Sequence, residues 1–247
     1  MPNFRSLYRA ALACAAVALA PFAAEAAQTV PYVGCASDGQ QGPVAAPKGQ
    51  PKALDINAAA AKRLAWYQAQ YTEGALAPRG WKCFSLYGSS GTTLAIAPSG
   101  ALDNASRPIA GPAVVLTDDS GGTSGRFEVA KIAARVFAEK EKAFVDSVIA
   151  EGIEPKADFP AGPYPADKLT NVSPTLVEFA TPANQDGLGT VNRLVKGALP
   201  IVGLVKLSGP ADGPDLYLLA VRLPAGQADL AAGIVHAAEA TLPNSSQ

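Results

Sequence analysis

Apolar and polar positions alternate along several short stretches of this chain, a pattern typical of β-strands with one buried face. Clusters of Gly and Pro separate these stretches and favour turns between them. The last two stretches are the richest in large apolar and β-branched residues, so we predict that they form central antiparallel strands. The predicted strands are residues 81–87, 92–97, 113–117, 176–181, 200–207 and 215–223.

Apolar residues recur at helical spacing in the segments between these strands. Asn57 is placed to cap a helix over residues 58–70, and residues 123–152 predict two helices that break near Glu139. A last helix is predicted over residues 226–241. Strand clusters interrupted by helices, without strict strand–helix alternation, indicate the α+β class. We therefore expect a mostly antiparallel sheet, with the helices packed mainly on one face, in a single domain.

The N-terminus has the organisation of a secretory signal peptide. Two arginines precede an uncharged apolar run over residues 10–20, and small residues follow at Ala24 and Ala26. We predict a signal peptide over residues 1–26, cleaved after Ala26, and a location in the periplasm or outside the cell. The apolar run is shorter than the roughly 20 residues that a membrane-spanning helix needs. No later segment is long and apolar enough to span a membrane, so no membrane span is expected after cleavage.

The predicted mature chain, residues 27–247, is nearly neutral. Removal of Arg5, Arg9 and Glu25 from 20 basic and 21 acidic residues leaves 18 basic and 20 acidic residues. No stretch gathers Lys and Arg into a basic patch, so a nucleic-acid partner is not expected.

Two cysteines, Cys35 and Cys83, remain after the leader is removed. An even number of cysteines in an oxidising compartment predicts a disulfide between them. A free or metal-binding pair is the alternative, but no His or third Cys lies nearby in the sequence to complete a tetrahedral site. The Gly- and Pro-rich residues 36–54 are predicted to form an extended surface loop inside the disulfide ring.

The sequence lacks the usual catalytic and cofactor patterns. The one histidine, His236, is predicted to face solvent, and no His precedes Ser120, whose Asp-Ser-Gly-Gly context is expected to form a turn. We therefore expect no cofactor and no metal. These absences favour a protein without catalytic activity, and no catalytic residue is assigned. Four aspartates lack the calcium-loop spacing and are expected in turns: Asp118, Asp119, Asp212 and Asp215.

Aromatic residues are concentrated in the N-terminal part of the mature chain. Seven of its 14 aromatic side chains lie between residues 31 and 90, within or next to the disulfide ring. Such rings bury a large area and keep polar tips, which suits either a core or a ligand platform. A core held by the disulfide is one interpretation. A ligand-binding surface formed by Arg79, Trp81 and Tyr87 is the other.

Two functions follow from these patterns. The first is an exported, non-catalytic protein that binds another protein or an envelope component. The alternative is a periplasmic hydrolase that uses carboxylates for general acid and base catalysis, since carboxylates need no histidine. Glu178, Asp118 and Asp119 are the candidates for that role.

Residues 34–43 and 77–84 carry the patterns Gly-Cys-x-Ser-Asp-Gly-Gln-x-Gly-Pro and Ala-Pro-Arg-Gly-Trp-x-Cys-Phe. In these segments, and again over residues 177–182 and 186–190, the chain resembles a group of exported proteins of proteobacteria. The resemblance implies export. No activity is established for that group, so the resemblance assigns no functional residue.

Overall fold

The computed structural model describes residues 27–100, 102–104 and 107–242. The predicted signal peptide, residues 1–26, lies outside this described part. Within it, no helix has the length and apolar character needed to cross a membrane.

The described residues include thirteen strands and four α-helices. In chain order the strands are β1 (Gln28–Val30), β2 (Tyr32–Gly34), β3 (Ala36–Gly39), β4 (Lys52–Leu54), β5 (Leu64–Gln68), β6 (Ala75–Pro78), β7 (Lys82–Tyr87), β8 (Gly91–Ala97), β9 (Ala113–Asp119), β10 (Lys168–Ser173), β11 (Leu176–Thr181), β12 (Ile201–Ser208) and β13 (Asp215–Arg222). The helices are α1 (Ala58–Ala61), α2 (Arg126–Val136), α3 (Lys142–Ala150) and α4 (Ala231–Thr241). All six predicted strands are therefore confirmed, as is the pair of helices that breaks near Glu139.

The central sheet has eight strands in the order β10-β11-β12-β13-β9-β8-β7-β3. β12 and β13 are interior and antiparallel, as predicted. The prediction of a mostly antiparallel fold needs correction, because two of the three sheets are mixed. β3 runs parallel to β7, and in the small sheet β2-β5-β6 the strand β2 runs parallel to β5.

One extended segment, residues 32–39, accounts for both parallel pairs. It pairs first with β5 and then with β7, and it changes partner at Cys35, whose N–H donates to the carbonyl of Gln68 at 2.9 Å. Because the segment keeps one direction throughout, it is parallel to both partners. Its two strands have only three and four residues, too few to give a clear sequence pattern.

The predicted helix over residues 58–70 is wrong beyond its first turn. Asn57 does cap α1, with its side-chain oxygen accepting from the N–H of Ala60 at 2.8 Å. The chain then leaves the helix and forms β5, in which four of five residues are buried. A short strand buried on both faces has the same continuous apolar pattern as a buried helical segment, so periodicity does not separate the two.

The eight-stranded sheet is buried on both faces. Along β8, Leu94 and Ile96 belong to one core, whereas Ala95 and Ala97 belong to the other. The first core also contains residues of α1, α4 and the small sheets, and we call this side the α4 face. The second contains residues of α2 and α3. Helices therefore pack on both faces, which corrects the expectation that they lie mainly on one.

The predicted disulfide joins Cys35 and Cys83, with 5.3 Å between their Cα atoms. Cys35 is almost fully buried and Cys83 lies in β7. The bond fixes the point at which the N-terminal segment passes from the small sheet to the central sheet. Inside the ring, residues 36–54, predicted as an extended surface loop, begin in strand β3 and end in strand β4, and residues 45–51 between them have no regular secondary structure.

Two buried arginines anchor the long connections. Arg222 is 1 % exposed, and its guanidinium donates to the carbonyls of Gly111, Ile109 and Val195 at 2.5–2.8 Å. Arg193 donates in the same way to the carbonyl of Leu102 at 2.7 Å. These bonds satisfy carbonyls of connections that have little secondary structure of their own.

Both edge strands of the central sheet are irregular or covered. β10 is largely exposed, and its register shifts between Asn171 and Ser173 before Pro174 follows. At the other edge, Ser37 of β3 exchanges two backbone hydrogen bonds with Val44, which folds back beside it.

Replacement of both cysteines by alanine is expected to lower the free energy of unfolding by about 2–4 kcal/mol, because the cross-link limits the unfolded chain over a sequence separation of 48 residues. Urea unfolding of the two proteins measures the loss. Reduction of the unmodified protein should produce a similar loss, and an unchanged midpoint would contradict this role.

Replacement of Arg222 by methionine is expected to cost about 3 kcal/mol or more, because it leaves buried carbonyls without donors. Arg63→Met is the matched control, since Arg63 forms an exposed ion pair with Asp229 and such pairs contribute roughly 1 kcal/mol or less. Equal losses in urea unfolding would show that Arg222 has no special role.

Candidate functional site

A row of polar side chains crosses the α4 face of the central sheet. Thr92, Asp118, Tyr217 and Lys206 stand directly opposite one another on β8, β9, β13 and β12. Directly paired residues of neighbouring strands share a face, with Cβ atoms about 5 Å apart. The next row on the same face consists of fully buried leucines: Leu94, Leu116, Leu219 and Leu204. The polar row therefore marks the border of this core.

A cavity of about 300 Å³ opens over the polar row. We call it the acidic pocket, because four carboxylates contribute to its lining. The residues that line it are Tyr71, Glu73, Gly91, Asp118, Asp119, Ser120, Lys206, Ser208, Asp215, Leu216, Tyr217 and Leu242.

The turn between β5 and β6 carries Tyr71 and Glu73 to the pocket. Thr72 stabilises this turn, with its hydroxyl accepting from the N–H of Ala69 at 3.0 Å. Gly74 ends the turn at a φ of 84°, which L-residues rarely adopt. A Cβ atom at this position would also lie 2.7 Å from the Trp66 indole nitrogen. The placement of Glu73 therefore depends on a glycine at position 74.

Asp118 is a strongly perturbed carboxyl group. Burial, together with the neighbouring charges of Glu73 and Asp119, raises the pKa of Asp118 to about 7, although hydrogen bonds from the Glu73 backbone and the Thr92 side chain act in the opposite direction. Its Oδ2 atom and the nearby Thr92 Oγ1 are both buried without a partner in good hydrogen-bond geometry among the described residues. A buried acceptor in this state is costly to the fold unless a ligand or water reaches it.

Asp119 follows on β9 and also lines the pocket. Burial raises the pKa of Asp119 to about 7, and the charge of Glu128 on α2 acts in the same direction. Two carboxyl groups that are adjacent in sequence thus have pKa values of about 7, well above that of an ordinary aspartate.

Tyr217 and Lys206 are the buried polar members of the row. Tyr217 is 7 % exposed, and its hydroxyl has no hydrogen bond to the residues that the structure describes. Burial raises the pKa of Tyr217, as do the charges of Asp118 and Glu73. Lys206 is 6 % exposed, and burial lowers its pKa.

The predicted surface of Arg79, Trp81 and Tyr87 is not brought together. The Arg79 guanidinium donates to the carbonyls of Leu64 and Ala61 at 2.9 and 2.6 Å, which is a structural contact. Trp81 precedes β7 and Tyr87 ends it, so their Cα atoms lie roughly 20 Å apart along the strand. Only Tyr87 approaches the acidic pocket, through a ring contact with Tyr71 at 4.8 Å between centroids.

The predicted catalytic carboxylates divide between two places. Asp118 and Asp119 line the acidic pocket, whereas Glu178 lies on β11 in a different groove, beside Lys168 and Thr170. His236 is 63 % exposed on α4, which confirms that it faces solvent.

Of the four aspartates expected in turns, Asp212 lies in one, but the expectation is wrong for the other three. Asp118 and Asp119 end β9, and Asp215 begins β13. The sequence therefore did not indicate that Asp215 lines the acidic pocket, and it did not single out Glu73, Lys206 or Tyr217. One signal was present for Lys206, which is a charged residue inside the apolar run Ile201–Ser208.

The chain was compared with protein-family models, with curated proteins and with solved structures, and none of them matches. Within the described part of the chain, no group of three or more His, Cys, Asp or Glu residues is arranged to hold a metal ion. The geometry of the acidic pocket is therefore the basis for assigning a function.

Replacement of Asp118 by asparagine is expected to raise the free energy of unfolding at pH 8 by roughly 1–3 kcal/mol. In the unfolded chain Asp118 ionises near pH 4, but in the folded protein only near pH 7. The folded state therefore holds the proton more tightly, and the native protein loses stability as the pH rises from 4 to 7. The gain in the variant should shrink towards pH 4.

Urea unfolding at pH 4.5, 6 and 8 measures this dependence. Asp212→Asn is the control, because Asp212 is exposed on the loop between β12 and β13. A constant difference between Asp118→Asn and the native protein at all three pH values would contradict the buried state of this carboxyl group.

Proposed function

We propose that this chain is an exported, non-catalytic binding protein that takes a small ligand in the acidic pocket. One observation carries the proposal: a cavity of about 300 Å³ is lined by the buried side chain of Tyr217 and by Asp118, whose buried Oδ2 atom has no partner in good hydrogen-bond geometry among the described residues. Leaving one such group unpaired costs about 1–3 kcal/mol, and buried polar groups in proteins nearly always have a partner. A bound ligand supplies that partner.

The rigidity of the surroundings supports binding. The polar row lies on interior strands of the central sheet, and the leucine row beneath it is fully buried. Groups held in this way lose little conformational freedom when a ligand binds. The cavity volume also falls at the lower end of the range of ligand pockets, which is about 300–1,000 Å³.

Export is part of the same proposal. The predicted leader over residues 1–26, the disulfide between Cys35 and Cys83, and the resemblance to exported proteobacterial proteins all support a periplasmic or secreted location. An envelope component or a protein that presents a suitable group remains the proposed partner. The proposed contact surface is now the acidic pocket and no longer includes Arg79 and Trp81, because only Tyr87 of the expected surface lies near the pocket.

A periplasmic hydrolase is the second candidate. Asp118 and Asp119 line one cleft, and each has a pKa of about 7, the range in which a carboxyl group works as a general acid or base at neutral pH. Turnover of a chromogenic glycoside or ester that is lost in Asp118→Asn would favour this candidate over simple binding. Glu178 has no part in it, since it lies in a different groove.

Replacement of Tyr217 by phenylalanine is expected to weaken ligand binding by roughly tenfold, the effect of one hydrogen bond of about 1.4 kcal/mol. The fold should be retained, because this hydroxyl has no hydrogen bond to the described residues. Thermal-shift screening of amines, amino acids and sugars against the mature protein identifies ligands, and calorimetry compares the variants.

The matched control is Tyr164→Phe, since Tyr164 contacts Arg135 away from the pocket. Its ligand affinity should equal that of the native protein. Loss of binding in both variants, or in neither, would contradict the assignment of the acidic pocket as the binding site.

A further inference from the structure

We infer that the ligand of the acidic pocket is a small organic cation, with an ammonium or guanidinium group held by Asp118, Glu73 and Asp215. The inference rests on the proposed function and names its ligand class. It depends on three features of the pocket, namely its charge, its supply of acceptor atoms and its size.

The charge of the lining favours a cation. Among the described residues, four carboxylates and one lysine line the cavity, so these side chains carry an excess of three negative charges when all four carboxylates are ionised. An anionic ligand would add to the repulsion that already raises the pKa of Asp118. A cation would relieve it, because an opposite charge within hydrogen-bond distance favours the ionised carboxylate.

The unpaired polar atoms point to a donor. Asp118 Oδ2 is a buried acceptor that has no partner in good hydrogen-bond geometry among the described residues, and the Tyr217 side chain, more than nine-tenths buried, presents a hydroxyl that accepts as well as donates. An ammonium group has three donors and no acceptor, and a guanidinium has five donors. Both complement these atoms.

The apolar part of the pocket suits a short body attached to the charged group. Tyr71 is 49 % exposed at the pocket wall, and its ring is held against Tyr87. Leu242 completes this side. An aromatic face attracts an organic cation and also packs against hydrocarbon. The cavity of about 300 Å³ has room for a small organic ligand.

Cation binding is coupled to proton release in this geometry. At pH 5.5 Asp118 holds a proton, and a cation that contacts it must displace that proton to gain the ionised acceptor. The other charged or titratable groups that face Asp118 are Glu73, Asp215, Tyr217 and Lys206. Of these, only Lys206 brings a positive charge, and it does not balance the carboxylates. Affinity for a cation therefore increases from pH 5.5 to pH 8.

Isothermal titration calorimetry of the mature chain tests the inference with three probes of matched shape. Phenethylamine is cationic, 2-phenylethanol is neutral and phenylacetate is anionic. At pH 8 phenethylamine is expected to bind at least tenfold more tightly than the other two. Its affinity should fall about tenfold at pH 5.5, and titrations in buffers of different ionisation enthalpy should show proton release at that pH.

Two variants locate the site. Asp118→Asn is expected to weaken phenethylamine binding at least tenfold at pH 8 and to abolish the proton release, while the exposed Asp212→Asn leaves both unchanged. Asp215→Asn serves as a second variant at the pocket rim, where Asp215 is exposed, and should weaken binding less.

The outcomes separate the inference from the function on which it rests. If 2-phenylethanol or phenylacetate binds as tightly as the amine and Tyr217→Phe weakens that binding, the assignment of a cationic ligand is wrong but the pocket remains a ligand site. Amine binding that is unaffected in both Asp118→Asn and Tyr217→Phe would overturn the inference, because the amine then binds elsewhere. If none of the probes or screened compounds binds, both the inference and the proposed function fail.

Discussion

The register of four neighbouring strands determines where the acidic pocket lies. In β8, β9, β13 and β12 the leucine row and the polar row alternate with residues of the opposite core. A shift of one residue in any strand would turn its members of both rows to the other face, where α2 and α3 cover the sheet. The burial of the leucines therefore fixes the position of Asp118 and Tyr217 at the border of the core.

The strands from β7 onwards, except β10, could be predicted from the sequence, whereas β1 to β6 could not. Strands such as β12 and β13 have eight residues each and are separated by a Gly- and Pro-rich turn, so their pattern is long enough to recognise. β1 to β4 have three or four residues each, and they are ordered by their partners and by the disulfide. In β5 the tertiary contacts prevail over the helical tendency of the alanines that precede it.

The site was predictable only in part. Asp118 and Asp119 stood out because two adjacent carboxylates end an apolar run. Glu73 and Tyr217 belong to segments far away in sequence, and only the sheet order and the turn closed by Gly74 bring them to Asp118. Arg79 illustrates the opposite error: a cation among aromatic residues resembles a ligand contact, but its guanidinium binds two backbone carbonyls.

The ends of the central sheet have a consequence for the behaviour of the molecule at high concentration. A ninth strand from a second molecule, added beside β10, would lose its pairing at the register shift between Asn171 and Ser173 and would meet Pro174 immediately afterwards. At the opposite end, Val44 already occupies the backbone groups of Ser37. Growth of this sheet into fibrils by edge-to-edge addition is therefore disfavoured at both ends, without any help from charge repulsion between nearly neutral molecules.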